Sequence, residues 1–159
     1  MPSKYPLQPL LEHRERAVDD RTAELGSAIG ARESAEQQRA RAEALQDAAE
    51  REAAGVRAAE ASLLTEGQLQ VGDLARGHAW EVGAQARLDA LSRATATATA
   101  TVATARDAEH TARGALAGAM ADRDVVQKDA DKFAARAAAK QLAAEEEQAE
   151  DVHRGRKQP

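Results

Sequence analysis

No proline interrupts the chain between Pro9 and Pro159, and along that stretch small or apolar residues return every seven positions. Proline inside a helix deletes a backbone hydrogen bond and collides with the preceding turn, whereas a seven-residue apolar repeat gives a helix a seam for a partner. Together the two features predict long, nearly unbroken helices that pair. One line runs through Ala28, Ala35, Ala42, Ala49, Val56 and Leu63, with Ala31, Leu45 and Ala59 expected to share its face. A second runs through Ala84, Leu91, Ala98, Ala105, Ala112, Ala119, Val126 and Phe133, flanked by Leu88, Val102, Leu116, Ala130 and Ala137. Two such lines on one chain predict an all-α fold, two long helices in an antiparallel coiled-coil hairpin.

Glycine locates the turn. Gly67, Gly72, Gly77 and Gly83 gather within Thr65 to Gly83, where Asp73 is placed to cap a new helix. The expected organisation is one coiled-coil domain over residues 1–159: an extended N-terminus at 1–8, a first helix at 9–64, a turn at 65–72, a second helix at 73–153 and a tail at 154–159. At 1.5 Å per residue the helices would be about 85 and 120 Å long, with residue 10 opposite roughly residue 126 and about 25 residues left beyond the pairing. Leu11, Val18 and Leu25 mark the first heptads, and the step of three to Ala28 reads as a stammer that overwinds the supercoil. Ala94 to Ala105 alternates threonine and alanine with the period of a strand. Ala98, Val102 and Ala105 nonetheless continue the seam without a breaker, so helix is expected there, weakened by its β-branched residues.

The side chains available restrict function further. One Phe, one Trp and one Tyr in 159 residues cannot build a thick core. A net charge of −5 with both signs interleaved gives no general attraction for nucleic acid. There is no cysteine for disulfides or thiolate metal sites. No stretch reaches the roughly 20 apolar residues that span a bilayer, and the N-terminus lacks a signal-peptide pattern, so a cytosolic protein is expected. His13, His78, His110 and His153 are never three or four residues apart, which argues against a metal site. With no phosphate loop and no nucleophile elbow, the expectation is a protein without catalytic residues, metal or cofactor. Glu145, Glu146, Glu147, Glu150 and Asp151 form the densest acidic group, followed by Arg154, Arg156 and Lys157. A solvated helix face is the plain reading of that group, and a docking surface for a charged partner the next. Trp80 reads as an apolar plug near the turn or as an exposed partner anchor, and Phe133 poses the same question at the other end.

Three segments carry a family resemblance. KYPLQPLLEHRERAVDDRTAELG, from Lys4 to Gly26, resembles the start of the FliJ/YscO family of bacterial type III secretion proteins, including the Val18-Asp19-Asp20 run. EGQLQVGDLARGHAW, from Glu66 to Trp80, is similar to that family's turn and second-helix start. KDADKFAARAAAKQLAAEEEQAED, from Lys128 to Asp151, is similar to its C-terminal helix, where an aromatic precedes an acidic run. The KYPL entry and acidic tail look closer to the injectisome branch, while the Val18-Asp19-Asp20 and Leu25-Gly26 residues also suit the flagellar branch.

The resemblance implies a cytoplasmic stalk at the secretion apparatus, bridging the hexameric export ATPase to the cytoplasmic domain of the export gate, with substrate chaperones as further partners. Carried onto this chain, it assigns ATPase contacts to Leu7, Leu11, Arg14, Val18, Glu146, Glu147, Glu150 and Asp151, and export-gate contacts to Gln38, Leu45, Leu88 and Leu91. Flagellar members present aromatics where this chain has Leu45 and Ala49. Two other classes compete: an amphipathic surface-coating protein, which a wide face of large apolar residues would favour, and a scaffold whose coiled coil dimerises.

Overall fold

The computed structural model describes residues 4–155, with side chains described for residues 4–150. Two helices account for nearly all of it, α1 (Gln8–Thr65) and α2 (Val71–Gly155), and no strand occurs among the described residues. Pro9 falls in the first turn of α1, where a missing N–H costs nothing. The threonine-alanine stretch is helical. Thr97, Thr99, Thr101 and Thr104 each return the hydroxyl to the carbonyl four residues back, at 2.9 to 3.1 Å. That bond satisfies the hydroxyl within the helix, at the slight cost that back-bonding to the preceding turn imposes.

The turn is built from specific local chemistry. Gly67 takes φ of 70°, the left-handed conformation that ends helices, and with it the N–H of Gln68 reaches the Leu63 carbonyl at 3.1 Å while that of Gly67 reaches Leu64 at 3.1 Å. α2 then begins at Val71, two residues before the expected start. Asp73 caps from inside the first turn: its Oδ2 accepts from the Gln70 N–H at 3.0 Å, the reciprocal half of a capping box. Leu69 and Leu74, on either side of that cap, line one groove with Leu64, as a hydrophobic staple requires.

Two compact units divide the chain, Gly26–His110 and the segments up to Leu25 and from Thr111 onward. Within Gly26–His110 the helices run antiparallel. As α1 advances through Arg32, Glu36, Glu52 and Arg57, the ion-pair partner on α2 retreats through Glu109, Arg106, Arg87 and Glu81. In the other unit, Tyr5 meets Asp129 and Phe133, and Arg14 meets Asp122. That is again antiparallel.

The seam differs from the expected one on one side. On α2 both expected lines turn inward, with Val102 only 2% exposed. On α1, Ala35 and Ala49 are buried as expected, but the flank is not Ala31, Leu45 and Ala59: all three are exposed, Leu45 at 60%. The second half of the α1 seam is Arg32, Arg39, Gln46 and Ala53, the last 2% exposed. These positions continue the spacing of Leu11, Val18 and Leu25, while Ala28 continues that of Arg14 and Arg21. The alternating three- and four-residue steps are therefore unbroken, and no stammer is present. Toward the turn the seam loosens, with Val56 and Leu63 exposed.

Candidate functional site

In the unit formed by the two chain ends, the entry segment is fastened by its single aromatic. The Tyr5 hydroxyl donates to Asp129 Oδ2 at 2.8 Å, and its ring lies 5.5 Å from that of Phe133 in a tilted arrangement. Burial, then the hydrogen bond and negative charge of Asp129, push the Tyr5 phenol above its ordinary value. Phe133 is thus taken by the chain's own tyrosine. A groove of about 420 Å³ remains beside it, lined by Tyr5, Gln8, Leu11, Phe133, Ala137 and Gln141 among others.

The residues expected to bind an ATPase fall into two groups here. Leu7 is 46% exposed, and Glu146, Glu147 and Glu150 lie on a stretch of α2 where every side chain from Ala138 to Glu150 is exposed. Leu11 is 6% exposed and Val18 half-buried, so both serve the seam, and Leu11 cannot itself touch a partner while the helices are paired. Arg14 is half-buried and donates to Asp122 at 3.0 Å. Asp151 belongs to α2, and its side chain lies outside the described residues.

In the unit Gly26–His110, the residues assigned to an export gate divide in the same way. Gln38 and Leu45 are exposed on α1, whereas Leu88 and Leu91 are half-buried in the α2 seam. Trp80 is half-buried against Ala49, Ala53, Ala84 and Leu88 around a groove of about 240 Å³, the plug position.

The most concentrated chemistry in that unit is ionic and lies in the seam itself. Glu109, the one charged residue among the buried ones described, accepts from Arg32 Nε at 2.5 Å. Arg32 also reaches Glu36 at 2.7 Å, and Glu36 accepts from Arg106 at 2.8 Å. The Arg106 hydrogen bond, helped by Arg32 and opposed by partial burial, holds the Glu36 carboxyl below its ordinary value. Extending the line of Leu11, Val18 and Leu25 leads to Arg32, but a search for apolar residues passes over it. Tyr5 and Asp129 were likewise missed, because pairing register alone brings them together.

Among the described residues no group of three His, Cys, Asp or Glu is placed to hold a metal ion, and no helix is long and apolar enough to cross a membrane. What the arrangement offers is surface: an exposed acidic helix, an exposed leucine in the entry segment, and a charged ladder across the seam. Comparison of the chain with protein-family models, with curated proteins and with solved structures finds no match.

Proposed function

We propose that this chain is a non-catalytic stalk of a bacterial type III secretion export apparatus, bridging the hexameric export ATPase to the export gate. The observation that carries the reading is the run from Ala138 to Glu150, helical, acidic and with every side chain exposed. An unpaired charged helix suits insertion into a ring of complementary charge, where steering raises the rate of encounter. The resemblance of the Lys4 to Gly26, Glu66 to Trp80 and Lys128 to Asp151 segments, in that order, supports the same reading. The ATPase contact is assigned to Leu7, Arg14, Glu146, Glu147, Glu150 and Asp151, with Leu11 and Val18 holding α1 in place behind them. The gate contact is assigned to Gln38 and Leu45, backed by Leu88 and Leu91. Such a stalk acts by making the subunits of a ring unequal, which changes ATP turnover without adding a catalytic group, and its place is the cytoplasmic face of the apparatus. Substrate chaperones are further partners on this reading.

The deciding experiment is co-purification with the export ATPase of the same organism, recording hexamer formation and ATP turnover with and without the chain. Binding that promotes hexamers is expected. Absence of binding across low and moderate salt would remove the reading in favour of a scaffold.

A further inference from the structure

We infer that the hairpin has two registers, one heptad apart, and that the present one is marked by the Arg32–Glu109 ion pair. The inference stands on this chain alone and goes beyond the proposed function. It rests on a duplicated charge module in the unit Gly26–His110. On α1, Arg32 and Glu36 face Arg106 and Glu109 of α2. Seven residues further along α1 the same pair of types recurs as Arg39 and Glu43, joined four residues apart at 3.3 Å just as Arg32 is joined to Glu36 at 2.7 Å. Arg39 occupies the same seam line as Arg32, and its Nε is buried with only the 3.3 Å ion-pair contact to Glu43, which is not a hydrogen bond.

Sliding α2 by seven residues would bring Glu109 to Arg39 and Arg106 to Glu43, so the buried carboxylate exchanges one guanidinium for another. The alanine stretch of the seam does not oppose the slide. Ala35 exchanges Ala105 for Ala112 and Ala42 exchanges Ala98 for Ala105, so alanine faces alanine at both positions in either register. An alanine repeat carries little register information, whereas a buried polar residue in a coiled-coil seam carries much. The slide is also directional. One heptad before Arg32 stands Leu25, which has no charge to offer Glu109.

The turn can supply the chain that the slide needs. Seven residues, Val71 to Gly77, would pass from α2 into the turn, and two of them are Gly72 and Gly77, among the poorest helix formers. What is lost is the Asp73 cap, the Leu69 and Leu74 staple, the exposed pairs Glu52–Arg87 and Arg57–Glu81 and, because α2 is one continuous helix, the contacts of Tyr5 with Asp129 and Phe133 and of Arg14 with Asp122. Exposed pairs contribute little. The cap and staple make the present register the major one and the shifted register a minor state, in the range of about 0.1 to 10% typical of such equilibria. Each exchange moves one helix along the other by roughly 10 Å, seven residues of helical rise. A partner that grips the helices differently in the two registers can drive it.

The full-length chain contains no cysteine, so introduced pairs report register directly. Ala35→Cys with Ala105→Cys reads the present register; Ala42→Cys with Ala105→Cys reads the shifted one, each scored as an intramolecular disulfide under mild oxidation. The first bond should dominate. Arg32→Gln should raise the rate of the second about tenfold, by removing the cross-seam arginine that faces Glu109 in one register only, and adding Arg39→Gln should cancel the rise. Gly72→Ala with Gly83→Ala, both at positions where a methyl group meets open space, should lower the second rate several-fold by holding the first turns of α2 helical. Circular dichroism checks that Arg32→Gln still folds. If it does not, the glycine pair decides alone. A second bond whose rate responds to neither Arg32→Gln nor the glycine pair would overturn the two-register inference. That result would leave ATPase binding untouched, since no partner is present in the assay.

Discussion

At the residue scale, the least expected occupant of the seam is Glu109, a buried side chain whose Oε2 accepts from Arg32 Nε at 2.5 Å. Removing one member of a buried pair strands the other, whereas replacing both with apolar groups removes the desolvation cost as well. Arg32→Ala should therefore destabilise the hairpin by about 3 kcal/mol, the low end for buried pairs since the arginine keeps some solvent contact, and the double change Arg32→Leu with Glu109→Leu should recover most of that loss. Urea unfolding followed by circular dichroism measures both. The corrected seam has its own test. Leu45→Glu should change stability by less than about 0.5 kcal/mol because the side chain is exposed. Ala53→Leu should cost about 1 to 3 kcal/mol by overfilling a site that is 2% exposed. If Leu45→Glu proves the costlier change, the seam assignment fails. These two residues also show how far the sequence could be read. Periodicity located Ala35, Ala49 and Val102, but a rule that seeks apolar flanks chose Leu45 over Ala53, because the intervening seam positions Arg32, Arg39 and Gln46 are polar. Their burial depends on partners across the hairpin, which periodicity does not contain.

At the scale of elements, the helix boundaries were legible to within a residue or two because glycine and proline act locally, while the mode of capping was not. Asp73 was placed to cap α2 but does so from the third helical position, which depends on where Gln70 turns. Gly67→Ala should cost about 1 kcal/mol in the same unfolding assay, since alanine gains nothing in a left-handed conformation. Gly55→Ala, in open space within α1, should gain about 0.5 to 1 kcal/mol. The two capping and ladder carboxyls make stability pH-dependent with a definite sign. Asp73 is held below its ordinary 3.8 first by the Gln70 N–H and then by Arg76, and Glu36 below its ordinary 4.5 first by Arg106. A carboxyl depressed in the folded state binds protons more readily when unfolded. Its stabilisation is present above the ordinary value and lost as pH falls through the depressed one. Thermal midpoints should thus hold level from neutrality to about pH 5 and decline below about pH 4, with a shallower decline in the variant Asp73→Asn with Glu36→Gln. An identical decline in that variant would assign the acid sensitivity to other carboxyls.

At the scale of the whole molecule, the architecture separates what holds the chain together from what it can offer a partner. Pairing side chains such as Leu11, Ala35, Ala53 and Val102 are buried, whereas every side chain from Ala138 to Glu150 is exposed. A helix whose side chains are all exposed contributes little to the stability of its neighbours, and persists because alanine and glutamate favour helix on their own. Ending the chain after Ala138 should therefore leave its thermal midpoint within about 2 °C of the full-length value. The same truncation should abolish retention of the export ATPase if the acidic helix is the docking element. Charge reversal at Glu146, Glu147 and Glu150 should weaken retention in the intact chain, most strongly at low salt, because exposed charges are screened within about 8 to 10 Å at physiological ionic strength. A midpoint that falls markedly on truncation would mean that the extension packs on the hairpin and is not a free arm. Retention that survives both truncation and charge reversal would move the ATPase contact to the entry segment around Leu7, which Tyr5 ties to Asp129 and Phe133. Separating the two readouts matters because a stalk needs both properties at once: a hairpin firm enough to carry a displacement, and a terminal helix unpaired enough to enter a ring.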